Sequence, residues 1–372
     1  MRVAIVTTYA HKLLAARPEL IEMIQNAGAQ IAVMGPEPSE LAAPTLVNHD
    51  ISYRTISISR SQINPIREVA GTLCMAETFA ELSVDCVLVY GVRMFPSVVL
   101  AARKAHVSRI VCVANGMGNL LVLPAIKGTV LRAFSFPALR YVLSKASAVV
   151  FQNPDDYAEL MSRRIVSRYT NVVLCCGSGV NLNRFPASPV PHNQSFAMVT
   201  RLTPEKGVNE YVSAARLVHQ RFPNSRFLLV GPRDDDRNLN FAAIETAQDE
   251  GFLEYLGESD NIANILHCCC AYVFPSYYRE GVPRSVLEAM STGRPIVTTT
   301  CPGCKETVVD GVNGFLVPPR DPNALADKLC WLLSHPDKAE LMGNQSRKMA
   351  EDKFDVFDIN NQILNALLPS NV

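Results

Sequence analysis

The sequence predicts an α/β protein made of two doubly wound, mostly parallel halves. Three observations point there. Nearly continuous apolar strand runs alternate with helical patterns from end to end, the signature of a parallel sheet covered on both faces. The alternation stops once, in a proline-bearing stretch at 183–194, and then restarts. The length of 372 residues suits about two domains.

In the first half, strands are predicted at 3–7, 31–34, 86–90, 109–113, 148–152 and 172–175, with helices at 18–27 and 96–104 among the connections. The stretch 183–194 contains Pro186, Pro189 and Pro191, and neither a helix nor a central strand runs through such a segment. The domain boundary is therefore placed inside it, giving halves 1–186 and 187–372, with the last helix able to pack back on the first half. The second half repeats the pattern: strand 195–200, helix 207–221, strands 226–230, 253–256 and 271–274, helix 284–292, strands 295–299 and 315–317, then a helical tract from 323 onward. Two such sheets imply a cleft with ligands outside the carboxyl ends of the strands. Closure over that cleft is the expected motion.

Composition narrows the function. Hydrophobic residues make up 48% and charged residues 19%, enough for large cores and against disorder. Basic and acidic side chains balance at 35 each, which argues against a nucleic-acid partner. No apolar run reaches the ~18 residues of a membrane span. The start, Met1 to Val6, reads as a strand rather than a signal peptide, so a cytoplasmic protein is expected. Of the 11 cysteines, most lie in apolar runs and read as small buried hydrophobes. Cys301 and Cys304 have redox or zinc-like spacing but no second pair or nearby His pair, so they read as a loop.

The most informative segment is 276–290. Glu280 and Glu288 sit eight residues apart across a Gly-Val-Pro turn, the first after an apolar strand and the second in the following helix. Two carboxylates at a helix start can grip one polyol, because they accept charge-assisted hydrogen bonds. Either Glu alone reads equally as a solvated side chain that suits the helix dipole. Upstream, strand 195–200 runs into Arg201-Leu-Thr-Pro-Glu-Lys-Gly207. Thr203 is expected to cap a helix with Pro204 at its first position. Arg201 and Lys206 then flank a helix N-terminus, a good diphosphate site, or else are surface cations near a turn.

Neither usual nucleotide fingerprint is present. Gly116 and Gly118, and likewise Gly177 and Gly179, follow strands and either admit a ligand to the backbone or simply turn. Asp234, Asp235 and Asp236 read as a solvated turn rather than a metal motif. The segment 120–145 is apolar and punctuated by Lys127, Arg132, Arg140 and Lys145. It reads either as a basic surface for anionic lipid or as an ordinary pair of core helices.

Taken together, Arg201, Lys206, Glu280 and Glu288 make the chain resemble family 4 of the retaining glycosyltransferases, whose motifs are an Arg-x4-Lys pair and E-x7-E. The resemblance extends over nearly the whole chain, through segments 17–21, 63–66, 115–118, 151–156, 177–180, 275–284, 302–307 and 310–318. It is similar to the subgroup that extends sugars on polyprenyl-diphosphate carriers in bacterial O-antigen, capsule or N-glycan precursors.

That resemblance implies the two-Rossmann GT-B architecture and a set of roles. Arg201 and Lys206 would hold the donor diphosphate, Glu280 the sugar hydroxyls and Glu288 the ribose hydroxyls. Backbone at Gly281 and Val282 would lie against sugar and phosphates. Arg17, Gly116 and Gly118 are the candidate ligand contacts of the first half. The implied partners are a UDP-sugar, a polyprenyl-diphosphate-linked saccharide and the inner face of the cytoplasmic membrane, with no metal required. Two departures stand out: Ala15 and Ala16 replace an aromatic residue and an Asn or His before the first-loop arginine, and Asn115-Gly116 stands where many members carry a His. A catalytically silent scaffold subunit and a sugar-nucleotide epimerase are the competing readings.

Overall fold

The structure is a computed structural model, and it describes residues 1–58, 65–117, 125–233 and 239–368. The chain divides into two units, Met1–Cys175 with Phe357–Val372, and Cys176–Val356.

Unit 1 is built on strands β1 (Arg2–Val6), β2 (Gln30–Gly35), β3 (Ser52–Thr55), β4 (Cys86–Tyr90), β5 (Arg109–Ala114), β6 (Ala148–Phe151) and β7 (Val172–Leu174). Among the described residues they form one sheet in the order β3-β2-β1-β4-β5-β6-β7, with every neighbouring pair parallel. Successive residues of a strand face opposite sides of the sheet. Val87 and Val89 of β4 therefore enter one core with Phe79, Val98, Leu139 and Leu160. Leu88 and Tyr90 enter the other, with Leu20, Ile24, Leu46 and Ile363.

The first core is covered by α4 (Pro65–Glu81), α5 (Phe95–Lys104), α6 (Ala125–Leu143) and α7 (Pro154–Ser162). The second is covered by α1 (Leu13–Ala16), α2 (Pro18–Asn26) and α3 (Ser39–Val47). The segment expected as a lipid surface or a helix pair is, where described, one helix. In α6, Leu139, Val142 and Leu143 are buried while Arg140 and Tyr141 are exposed. Residues 118–124 lie outside the described residues.

Unit 2 has β8 (Ser195–Val199), β9 (Arg226–Val230), β10 (Leu253–Gly257), β11 (Ala271–Phe274), β12 (Ile296–Thr299) and β13 (Gly314–Val317). They form a parallel sheet ordered β10-β9-β8-β11-β12-β13. Its helices include α8 (Val208–Arg221), α9 (Phe241–Asp249), α10 (Ile262–His267), α11 (Arg284–Ser291), α12 (Pro322–Ser334) and α13 (Pro336–Lys353).

The units part at Cys175–Cys176, ahead of the proline stretch where the sequence placed its boundary. Residues after Cys176 are held by unit 2. Val180 N donates to Phe354 O at 2.8 Å, and Phe185 is buried in a unit 2 core with Val286 and Met290. The prolines are held too. Arg294, fully buried, donates to the carbonyls of Pro189 at 3.0 Å, Thr292 at 3.0 Å and Cys269 at 3.1 Å, and to that of Ser188. The chain then returns to unit 1 as α14 (Val356–Leu367), where Ile359, Ile363 and Leu367 join the second core. Arg109 donates to the carbonyls of Ala366 and Leu368 at 3.3 and 2.8 Å.

Candidate functional site

The loop after β8 carries the first half of the unit 2 site. The expected cap at Thr203 is not formed: its side chain makes no capping bond, and Pro204–Lys206 make a separate 3-10 turn. Gly207, at φ +81°, ends that turn before α8 starts. A Cβ at Gly207 would sit 2.2 Å from the Pro275 carbonyl oxygen. Only glycine lets the turn lie against the end of β11 in this left-handed conformation. Arg201, exposed, stands at the same end of β8.

The loop after β11 carries the second half, and the two loops are fastened together. The Glu205 carbonyl accepts from Tyr277 N at 3.0 Å, Tyr278 N at 3.2 Å and Ser276 Oγ at 3.0 Å. This brings Lys206 Nζ to 2.5 Å from Glu280 Oε1, with the two side chains 16% and 12% exposed. Ser276 Oγ also lies 3.1 Å from Glu280 Oε1, so its one proton is shared between this carboxylate and the Glu205 carbonyl. The ammonium lies 5.6 and 5.8 Å from the ring centroids of Tyr278 and Phe274, a range in which aromatic faces attract cations. Lys206 and Glu280, 74 residues apart in the chain, are thus one ion pair at the carboxyl ends of β8 and β11.

Glu288 lies just over one turn into α11 and pairs with a different side chain. Arg284 Nη2 is 3.4 Å from Glu288 Oε1. Burial pushes this carboxyl above its ordinary range, while Arg284 and Arg184 pull it back. Between the two glutamates, Gly281 and Val282 are buried and clasped by two other glycines. A Cβ at Gly303 (φ +86°) would be 2.3 Å from Gly281 O, and one at Gly177 (φ +74°) would be 2.6 Å from Val282 Cβ.

These contacts give a packing role to two glycine-bearing segments: the loop of Cys301 and Cys304, and the Gly177 segment, whose pattern leaves open either a ligand approach or a turn. The loop of Cys301 and Cys304 is backing for Glu280, with Gly303 N donating to Glu306 Oε2 at 2.6 Å. Cys304 is buried, and burial together with the nearby Glu280 charge pushes its thiol well up, so it stays protonated. Ser276, Glu205 and Gly303 were not singled out from sequence. Their parts depend on which loops meet.

In unit 1, Arg17 is the N-cap residue of α2 and makes no side-chain capping bond. Its guanidinium carbon lies 5.1 Å from the Tyr90 ring centroid. Burial pushes the Tyr90 phenol up, Arg17 lowers it and Cys175 raises it. Nearby in the chain, His11 Nδ1 meets Glu37 Oε1 at 2.6 Å, and His11 N donates to Glu37 Oε2 at 3.0 Å, tying the first loop to the end of β2. Gly116 follows β5 at φ +111°. Gly118 and Asp234, Asp235 and Asp236 lie outside the described residues. Among the described residues, no group of three or more His, Cys, Asp or Glu is placed to hold a metal, and no helix is long and apolar enough to cross a membrane.

Residues 193–335 match the family described as glycosyl transferases group 1. The N,N'-diacetylbacillosaminyl-diphospho-undecaprenol alpha-1,3-N-acetylgalactosaminyltransferase of Campylobacter jejuni is 24% identical over 95% of this chain and 94% of its own. The capsular polysaccharide biosynthesis glycosyltransferase CapM of Staphylococcus aureus is 27% identical over 44% of this chain and 43% of its own. A glycosyltransferase of Rickettsia africae superposes with a TM-score of 0.76 at 18% identity, covering 98% of this chain and 96% of that one. The Anabaena protein HepE, solved with UDP and glucose, superposes at 0.74 and 20% identity over 98% of both chains. Residues 193–335 thus carry the match to the group 1 glycosyltransferases, and the two-sheet fold is the GT-B fold of glycosyltransferases.

Proposed function

We propose that the protein moves a hexose or N-acetylhexosamine, with retention, from a UDP-sugar to a polyprenyl-diphosphate-linked saccharide during assembly of a bacterial surface polysaccharide or glycan. The observation that carries this reading is the Lys206–Glu280 pair, at 2.5 Å, in the loop that Arg201 opens at the end of β8. Cleaving the bond to UDP builds negative charge on the leaving phosphate, and pre-placed cations stabilise charge that develops in the transition state. Lys206 and Arg201 serve that need. Glu280, which fixes Lys206, accepts from the sugar hydroxyls. Glu288 accepts from the ribose hydroxyls, and the clasped backbone of Gly281 and Val282 lies against sugar and phosphates. The acceptor hydroxyl attacks on the face the phosphate leaves, and a phosphate oxygen takes its proton.

The acceptor assignment is supported by the Campylobacter relative, which matches along 95% of this chain and whose name specifies an undecaprenyl-diphosphate substrate. Unit 1 then carries the acceptor and unit 2 the donor, at the cytoplasmic face of the membrane. The exposed Arg140 and Lys145 at the end of α6 suit anionic lipid.

The test is calorimetry with a panel of UDP-sugars and GDP-mannose, followed by transfer to a polyprenyl-diphosphate saccharide. One UDP-sugar is expected to bind and to give product and UDP only with acceptor present. Binding without turnover would instead make the chain a silent scaffold subunit. Conversion of a UDP-sugar without acceptor would make it an epimerase.

A further inference from the structure

Three buried polar atoms of unit 1, Arg17 Nη1, Tyr90 Oη and Gln152 Nε2, have no hydrogen-bond partner among the described residues. Tyr90 is 6% exposed and Gln152 is 3% exposed. A buried polar atom left without a partner costs roughly 1–3 kcal/mol, so three in one region call for a ligand that satisfies them. Their placement is coherent. Tyr90 is the last residue of β4, and Gln152 directly follows β6, with β5 between them. Leu88, Tyr90, Ala148 and Val150 share one core, so Gln152, two residues beyond Val150, belongs by alternation to the same side of the sheet. Arg17 comes from α2 on that side and covers the Tyr90 ring.

The Tyr90 end of the spot adjoins the place where the sheet's connections diverge, between β1 and β4. β2 lies on one side of β1 and β4 on the other, and open α/β sheets bind ligands at such a switch point, outside the carboxyl ends of the strands. Gly91, next to Tyr90, has φ +91° and open space where a Cβ would be. The available groups are a guanidinium N–H, an amide N–H and a phenol O–H, each able to donate. A set of donors with one fixed positive charge recognises an anionic oxygen.

We propose that Arg17, Tyr90 and Gln152 form an anion subsite of unit 1 that holds a phosphate oxygen of the acceptor's diphosphate. This rests on the reading that unit 1 carries the acceptor. The donor's diphosphate has its own cations in unit 2, Arg201 and Lys206. A diphosphate-bearing acceptor needs a second set, and this one is made of donors only.

The test is calorimetry on the full chain with farnesyl diphosphate and, separately, inorganic pyrophosphate, with and without saturating UDP, for wild type, Arg17→Met, Tyr90→Phe and Gln152→Leu. Farnesyl diphosphate is expected to bind wild type in the presence of UDP. Each variant should weaken it by about tenfold or more, the loss of a charge-assisted hydrogen bond. UDP affinity should stay within about twofold, as expected for a site that shares no partner with the donor site. The melting temperature of Tyr90→Phe should not fall, because it removes an atom that lacks a hydrogen-bond partner among the described residues. In transfer assays the acceptor KM should rise more than kcat falls. Unchanged farnesyl diphosphate affinity in Arg17→Met and Tyr90→Phe would overturn the proposal. So would lost UDP affinity, which would make these residues part of the donor site, or a lowered melting temperature in Tyr90→Phe with no change in binding. Absence of UDP binding and turnover in wild type would reject the proposed reaction instead, and the pyrophosphate titration would still report on the subsite.

Discussion

Replacing Lys206 by Met removes one charge while keeping the stem that packs near Tyr278 and Phe274. At 2.5 Å, with an effective dielectric of about 20, the gross attraction between Lys206 and Glu280 is on the order of 6–7 kcal/mol. Most of it is offset by the cost of taking both charges out of water. Removing one member of a fully buried pair costs roughly 3–5 kcal/mol. These side chains keep 16% and 12% exposure, so roughly 2–3 kcal/mol is expected, a melting-temperature fall of about 4–12 °C for a unit of this size. Turnover should fall by about 10²–10³, the usual loss when one group stabilising transition-state charge is removed.

The two effects separate in the double variant Lys206→Met/Glu280→Gln, which no longer strands a carboxylate. Its melting temperature should recover most of the loss while turnover stays low. A UDP-release assay run beside thermal melts checks both. Turnover in Lys206→Met within about threefold of wild type, far short of the 10²-fold loss such a group implies, would refute the electrostatic role.

Other outcomes follow from the same geometry. Glu288→Gln should weaken UDP by roughly 10–100-fold in calorimetry, the value of a hydrogen bond to a charged group. It should also raise stability at neutral pH. Burial holds the Glu288 carboxyl above its unfolded pKa, so the folded state binds the extra proton, and wild-type stability falls as pH rises from the unfolded to the folded value. Melts from pH 4 to pH 7 should show that slope flattened in the variant. Gly207→Ala should cost about 1–3 kcal/mol for the left-handed backbone and lower activity by shifting Lys206, because its Cβ would meet the Pro275 carbonyl. Urea melts with parallel kinetics would show the loss. Arg294→Met should destabilise by about 3 kcal/mol or more in urea melts, since the buried carbonyls of Cys269 and Thr292 lose a charged donor. UDP affinity of the remaining folded protein should be unchanged.

What sequence patterning makes legible here is what local physics dictates. β4, β9 and β11 are short apolar runs whose bounds match the expected strands, because a strand buried on both faces has no other composition open to it. β3 was missed for the complementary reason. Ser52–Thr55 is a mostly exposed edge strand with only Tyr53 buried, so nothing in its composition demands a sheet. The proline stretch reads as a boundary in the sequence because proline forbids regular structure. It takes the buried Arg294 to show that unit 2 holds this segment. The cap expected at Thr203 failed because Gly207 breaks the first turn, to bring it against β11.

The sequence by itself determined the two-sheet α/β class, the carboxyl-end location of the polar loops and the residue types gathered there, since strand alternation and side-chain chemistry are local properties. The tertiary structure alone decided which of those residues meet. Lys206 pairs with Glu280 across 74 residues, Gly177 and Gly303 clasp Gly281 and Val282, and Arg17 covers Tyr90. Contacts of that kind depend on strand order and on close approach of backbones, and neither is written in any single segment of the chain.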